Sequence, residues 1–303
     1  MNFLKRIYTV MEIRTGFATG LPVLSAGLFG AYINGSLNIV LLILMFISGF
    51  SFNIASNVAA EIKGFLKNED TDEVLTGHKG SEGLARGDAS IGDAIIALML
   101  SFILGTISGV VIVILTQRVE ILLIGILSAI AAIAYSLGPK PYSNYPVGEV
   151  ISGLFVGGVS SIVSAYIQIG KLDIGIILYS VITIMMTVFL MSVNNTTDYN
   201  KDMGKRVTLP HIIGFRKSIE IIIPEALLMI VAFMGLYYLG YIKIYMLIIG
   251  LVIFYHSFYL KWYKNYYKVK EHYPLMGKDF GPKPLILIYN FNLIMAVVFL
   301  INI

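Results

Sequence analysis

The stretch IGIILYSVITIMMTVFLMSVNNTTDYNKDMGKRVTLP, residues 174–210, decides how this chain folds. From Ile174 to Val193 it carries no charge, and about 20 apolar residues in a helix cover the roughly 30 Å of a bilayer's hydrocarbon core. Beyond Val193 the composition changes abruptly to amides, acids and bases: Asn194, Asn195, Asp198, Lys201, Asp202, Lys205 and Arg206. An apolar span thus runs straight into a polar end dense in oxygen donors.

Working outward, apolar runs of spanning length recur near 16–34, 38–61, 93–116, 119–137, 149–169, 174–195, 218–239, 242–260 and 284–302. The whole chain is 57% hydrophobic and 13% charged, with a mean hydropathy of +0.82. A water-facing domain carries about 25% charged residues, so the expected fold is all-α, a polytopic bundle of nine transmembrane helices forming a single domain over 1–303. Short alternating segments of the β-barrel kind are missing from the sequence. There is no cysteine, which excludes disulfides and thiolate chemistry. The net charge of +4 reflects loop bias and points to no nucleic acid partner.

The connectors alternate. Those around Asn34–Asn38, Arg118, Lys171 and Lys243 are tight; those at 62–92, 138–148, 196–217 and 261–283 are long. With the N-terminus and the long loops on one side, that side holds 19 of the 22 Lys and Arg. By the positive-inside rule the long, capping loops and the N-terminus are cytoplasmic and the C-terminus is outside. The opening MNFLKRIYTVMEIRTGF is basic and amphipathic and reads as a retained cytoplasmic lead-in. The mixture of Lys261, Lys264, Lys268 and Lys270 with Trp262, Tyr263, Tyr266 and Tyr267 reads as an anchor to anionic membrane lipid.

In a helix Asn194, Asp198 and Asp202 share one face, with Asn195 beside them. The second span ends in FNIASNVAAEIKGFLKNED, where Asn53, Asn57 and Glu61 repeat the same spacing before Lys63 and Lys67. Carboxylates and amides stacked at a membrane surface suit a hard divalent cation, which takes oxygen ligands and shares a phosphate. Two such triads on separate helices, each trailed by bases, suggest one cavity gripping a metal–diphosphate. The ordinary alternative is a polar interfacial helix end with snorkelling Lys and Arg, which explains poorly why Asn53 and Asn57 lie beside an apolar run. No pair of His78, His211, His256 and His272 has metal spacing, and TGHKGSEG (Thr76–Gly83) lacks the GK[ST] of a P-loop.

At these residues the chain resembles the UbiA superfamily of intramembrane prenyltransferases. Asp198-x-x-x-Asp202 followed by GKRVTLP is similar to its second Asp-rich motif. GPKPYSNYPVGEV (Gly138–Val150) and EIRTGFATGLPVLSAGLFGA resemble the 1,4-dihydroxy-2-naphthoate prenyltransferase branch of menaquinone synthesis. The first motif departs from the usual Asn-Asp-x-x-Asp-x-x-x-Asp: aligned on Asn53 only Glu61 keeps an acid, and aligned on the Lys63-Gly64 pair (Ser56, Asn57, Ala60, Gly64) none is kept. The resemblance implies nine helices, cytoplasmic caps and a Mg²⁺-dependent reaction on an isoprenyl diphosphate.

It implies metal ligation by Asp198, Asp202, Asn194 and Asn195 on one side and Asn53, Asn57 and Glu61 on the other. Asp198, Asp202, Asn57 and Glu61 would be catalytic, while Lys63, Lys140, Lys201, Arg206 and Arg14 would hold diphosphate. Tyr135, Tyr142 and Tyr145 are candidates to face an allyl cation, and Glu149, at a position that branch also fills with Glu, to meet an aromatic acceptor. The expected reaction is prenyl transfer to a quinone-precursor-like acceptor. The alternative within the superfamily is a membrane terpene cyclase needing no acceptor, since an Asn-x-x-x-Asn-x-x-x-Glu triad resembles a cyclase metal motif.

Overall fold

The computed structural model describes residues 2–67, 83–138, 140–263 and 284–303, without the side chains of Lys201 and residues 260–263. Gly77, His78 and Gly80 of the second-to-third-span loop, and Lys264, Tyr266, Tyr267, Lys268, Lys270 and His272, lie outside the described residues.

The lead-in is a separate amphipathic helix, α1 (Phe3–Met11). It buries Ile7 and Val10 and leaves Phe3, Leu4 and Tyr8 exposed. Then follow α2 (Ile13–Asn34), α3 (Ile39–Leu66), α4 (Ile91–Thr116) and α5 (Val119–Ser136). Next come α6 (Gly148–Ile169, π-helical over Gly153–Val159), α7 (Ile174–Thr197) and the short α8 (Tyr199–Asp202) and α9 (Leu209–Ile213). The bundle closes with α10 (Phe215–Tyr238), α11 (Ile244–Tyr259) and α12 (Pro284–Leu300). Among the described residues seven helices (α2 to α7 and α10) are long and apolar enough to cross a membrane; α11 and α12 are shorter apolar helices. The sequence expectation of nine spans thus meets seven long helices and two short ones.

The local signals are conventional. Asn38 caps α3 by accepting from Leu41 N at 3.1 Å. Ser90 and Asp93 form a capping box that starts α4, and Arg6 of α1 binds Asp93 at 2.9 Å, pinning the amphipathic helix to the bundle. The tight connectors meet at one end of the bundle: Asn34 donates to Gln168 O at 3.0 Å and Arg118 to Gly170 O at 2.9 Å.

Where no water drives helices together, close packing of small residues does. A Cβ on Gly30 would lie 2.6 Å from the Ala165 carbonyl oxygen, so only glycine lets α2 and α6 come this close. On one side of the bundle α2, α7, α10, α11 and α12 interlock through Phe29, Tyr179, Phe233, Phe254, Phe291 and Phe299, all buried. Phe29 and Tyr179 stack at 4.7 Å. On the other side α4 and α5 bury little inside the protein. That half is hollow, and the cavity between α3, α4, α5, α6 and α7 lies there.

Candidate functional site

The cavity encloses about 880 Å³. At one end it is bordered by the polar termini of α3 and α7; the rest is walled by apolar side chains such as Phe52, Phe102, Val113, Ile121 and Val163. The opposite end closes on a buried cluster that includes Met45, Ile112, Ile121 and Val163. A second cavity of about 510 Å³ adjoins it, sharing Ile124, Ser128, Ile151, Phe155 and Val159 and including Tyr142.

On α3, Ile54 and Val58 are buried against α1 and α4, which turns Asn53, Asn57 and Glu61 to the cavity. Asn57 donates one amide hydrogen to Thr15 Oγ1 and the other to Asn53 Oδ1 at 3.1 Å. Both donors being engaged, its carbonyl oxygen is the group left for a cation. Glu61 is buried and accepts from Leu84 N at 2.9 Å, tying the chain after the second-span loop to α3. Lys63 donates to Asn144 Oδ1 at 3.4 Å, and Val207 N donates to Asn144 O at 3.1 Å. Asn144 therefore joins the loop after α5 to both polar helix ends.

On α7, buried Val193 and Thr196 face inward, leaving Asn194, Asn195 and Asp198 on the cavity wall. Asp198 is the last residue of α7's hydrogen-bonded run, and Asp202 N donates to Asp198 O at 2.9 Å. The i, i+4 register therefore survives the break into α8. Arg206 spans the pair, 2.7 Å from Asp202 and 4.0 Å from Asp198. Burial alone would lower the Arg206 pKa, but the hydrogen bond to Asp202 and the charges of both aspartates carry it above its usual value. His211 holds this turn from behind: its ring stacks on Tyr199 at 4.6 Å, and Nε2 lies 2.9 Å from Tyr199 O.

One cavity thus brings together Asn53, Asn57, Glu61, Lys63, Tyr135, Asn194, Asn195, Asp198, Asp202 and Arg206. It does not bring in the others. Glu149 is buried behind it, accepting from Asn195 Nδ2 at 2.7 Å; its Oε2 has no hydrogen-bond partner among the described residues. Arg14, Lys140 and Tyr145 are exposed and border neither cavity. Tyr142 borders only the adjoining one, and the side chain of Lys201 is outside the described set. Thr15 and Asn144 lie in the two stretches that resemble the naphthoate branch and His211 directly follows the second motif, but none of the three was a candidate site residue. They join distant segments, which spacing along the chain does not show.

The donors bordering the polar end are carboxylate and amide oxygens, the set that suits Mg²⁺. Among the described residues no three His, Asp or Glu converge. That fits an ion that takes one or two carboxylates and completes its shell with water and substrate phosphate.

The profile of the UbiA prenyltransferase family matches residues 21–276. The 1,4-dihydroxy-2-naphthoate octaprenyltransferase of Escherichia coli (strain K12) is 27% identical over 177 residues, 57% of this chain and 56% of that one. The Bacillus subtilis (strain 168) protein of the same name is 32% identical over 102 residues, 33% of this chain and 32% of that one. The matches therefore span little more than half the length of these relatives, or less. Among solved structures, a UbiA homolog from Archaeoglobus fulgidus bound to GPP and Mg²⁺ has a TM-score of 0.67 at 13% identity, covering 98% of this chain and 97% of that one. A digeranylgeranylglyceryl phosphate synthase has a TM-score of 0.66 at 18% identity, covering 98% of each. TM-scores of this size over nearly the whole of each chain establish the shared fold, and at these identities the fold alone.

Proposed function

The chain belongs to the UbiA prenyltransferase family of integral membrane proteins, and from that premise we propose that it is a Mg²⁺-dependent intramembrane prenyltransferase. Its donor is an isoprenyl diphosphate and its acceptor an aromatic, quinone-precursor-like ring. One observation carries the reading: Asp198 and Asp202 share the polar end of a single, otherwise apolar cavity with Asn53, Asn57 and Glu61.

Asp198 and Asp202, with Asn194 on the same face, would hold Mg²⁺ together with the carbonyl oxygen of Asn57. An ion bound there would supply Lewis-acid neutralisation of the diphosphate leaving group. Lys63, Lys205 and Arg206 border the same end and bind phosphate oxygens. The apolar walls keep water from the allyl cation as the C–O bond breaks. The Tyr135 ring, also on the wall, steadies that cation by about 0.5–2 kcal/mol. Asn195, its NH₂ committed to Glu149, offers its carbonyl oxygen to an acceptor hydroxyl.

The naphthoate prenyltransferase relatives support an aromatic acceptor. A second reading, cyclisation of the donor with no acceptor, is favoured by the neutral amides at Asn53 and Asn57. We further propose that the bundle is one domain over 1–303 with α11 and α12 as eighth and ninth spans. The N-terminus and the long-loop face would be cytoplasmic, the C-terminus outside.

The purified protein, given Mg²⁺ and geranyl, farnesyl or geranylgeranyl diphosphate with and without a dihydroxynaphthoate-type acceptor, tests this. Acceptor-dependent pyrophosphate release, lowered at least about a hundredfold in Asp198→Ala, is expected. Release with a terpene product and no acceptor supports the cyclase, and no turnover of any donor overturns both.

A further inference from the structure

The α3 side of the site is short of negative charge. Asn53 and Asn57 are neutral, and one oxygen of Glu61 is committed to the backbone of Leu84. A different acid reaches the same cavity from outside both motifs: Glu12, at the junction of α1 and α2. Its backbone is left-handed, φ 43° and ψ 52°, a conformation uncommon for a residue with a side chain. That turn lets the surface-lying α1 pass into the spanning α2 while Glu12 stays on the cavity wall. The junction is coupled to the first triad, because Thr15 N and Oγ1 both donate to Glu12 O, at 2.8 and 2.7 Å, and Thr15 Oγ1 accepts from Asn57.

We propose that Glu12 is a functional residue of the site, supplying from the α1–α2 junction the carboxylate that the first motif lacks. Among the described residues, the acids bordering the cavity are then Glu12, Glu61, Asp198 and Asp202, against Lys63, Lys205 and Arg206. The acids outnumber the bases, so a diphosphate can enter only with divalent cations to balance it. Glu12 adds an oxygen ligand from the turn that Thr15 ties to Asn57, and Asn57 keeps the geometry while giving up the charge. The inference rests on the cation–diphosphate reading of this cavity.

The test is Mn²⁺ binding by the full-length protein with inorganic pyrophosphate present, read by electron paramagnetic resonance without turnover. Glu12→Gln is expected to weaken Mn²⁺ binding about tenfold or more. Glu12→Gly relieves the left-handed backbone yet should bind as poorly, which separates the carboxylate from a mere role in the turn.

Wild-type affinity in Glu12→Gln or in Glu12→Gly overturns the proposal. Asp198→Ala, measured alongside, reports on the underlying reading. If it weakens binding and Glu12→Gln does not, only the Glu12 assignment falls; if neither does, the cation site itself falls.

Discussion

At the residue scale, the side chains that meet the cavity are set by others that do not. Asn195 reaches the wall with its amide hydrogen committed to Glu149, a carboxylate that never borders the space itself. Glu149 is thus a positioning residue, and the two obvious substitutions differ in kind. Glu149→Gln keeps an acceptor oxygen for Asn195 and should retain most activity. Glu149→Ala frees the amide to rotate and should lower kcat about 10- to 100-fold, as steady-state kinetics of the pair would reveal. The sequence made Asp198, Asp202 and the triad spacing legible, because i, i+4 is a property of any helix. It could not make Glu12, Thr15 or Asn144 legible, since each joins segments far apart in the chain. It also could not separate Arg14, Lys140 and Tyr145, which face outward, from Lys63 and Arg206, which face in. Charge near a helix end is visible from composition, whereas its direction depends on packing.

At the scale of the elements, apolar runs gave every long helix to within a few residues, because length and hydropathy are local properties. Two features escaped. The lead-in is a separate helix set off by the left-handed Glu12, and α6 is π-helical over Gly153–Val159 beside the cavity, where helix registers are commonly altered for function. Glycines that look alike in sequence do different things. Gly30→Ala drives a Cβ to 2.6 Å from the Ala165 carbonyl and should cost about 1–3 kcal/mol. Gly125→Ala, whose Cβ meets nothing within 4 Å, should leave stability intact. Thermal unfolding of both variants in one detergent checks the contrast.

For the whole molecule, the division into a packed half and a hollow half explains why so apolar a chain has an active-site-like interior. Interlocked aromatics on α2, α7, α10 and α12 make a rigid wall, and α7 carries its Asp-rich end on that wall. The thinly buried α4 and α5 close the opposite side. Alternation of tight and long connectors expressed this two-ended design in the sequence, and the bonds from Asn34 and Arg118 to the end of α6 realise one end of it. Because the chain has no cysteine, topology is open to single-cysteine labelling. Ser36→Cys should react with an impermeant reagent from outside intact cells, and Ser143→Cys only after the membrane is opened.

The proposed role of Asp198 and Asp202 is to grip the divalent cation that holds a diphosphate at the polar end of this cavity. Titration of a non-ionisable thiolo analogue of an allylic diphosphate into the purified protein measures that directly. Tight binding with Mg²⁺, lost in EDTA and lost in Asp198→Ala/Asp202→Ala, is expected. Equal affinity with and without Mg²⁺, or in the double variant, would contradict it.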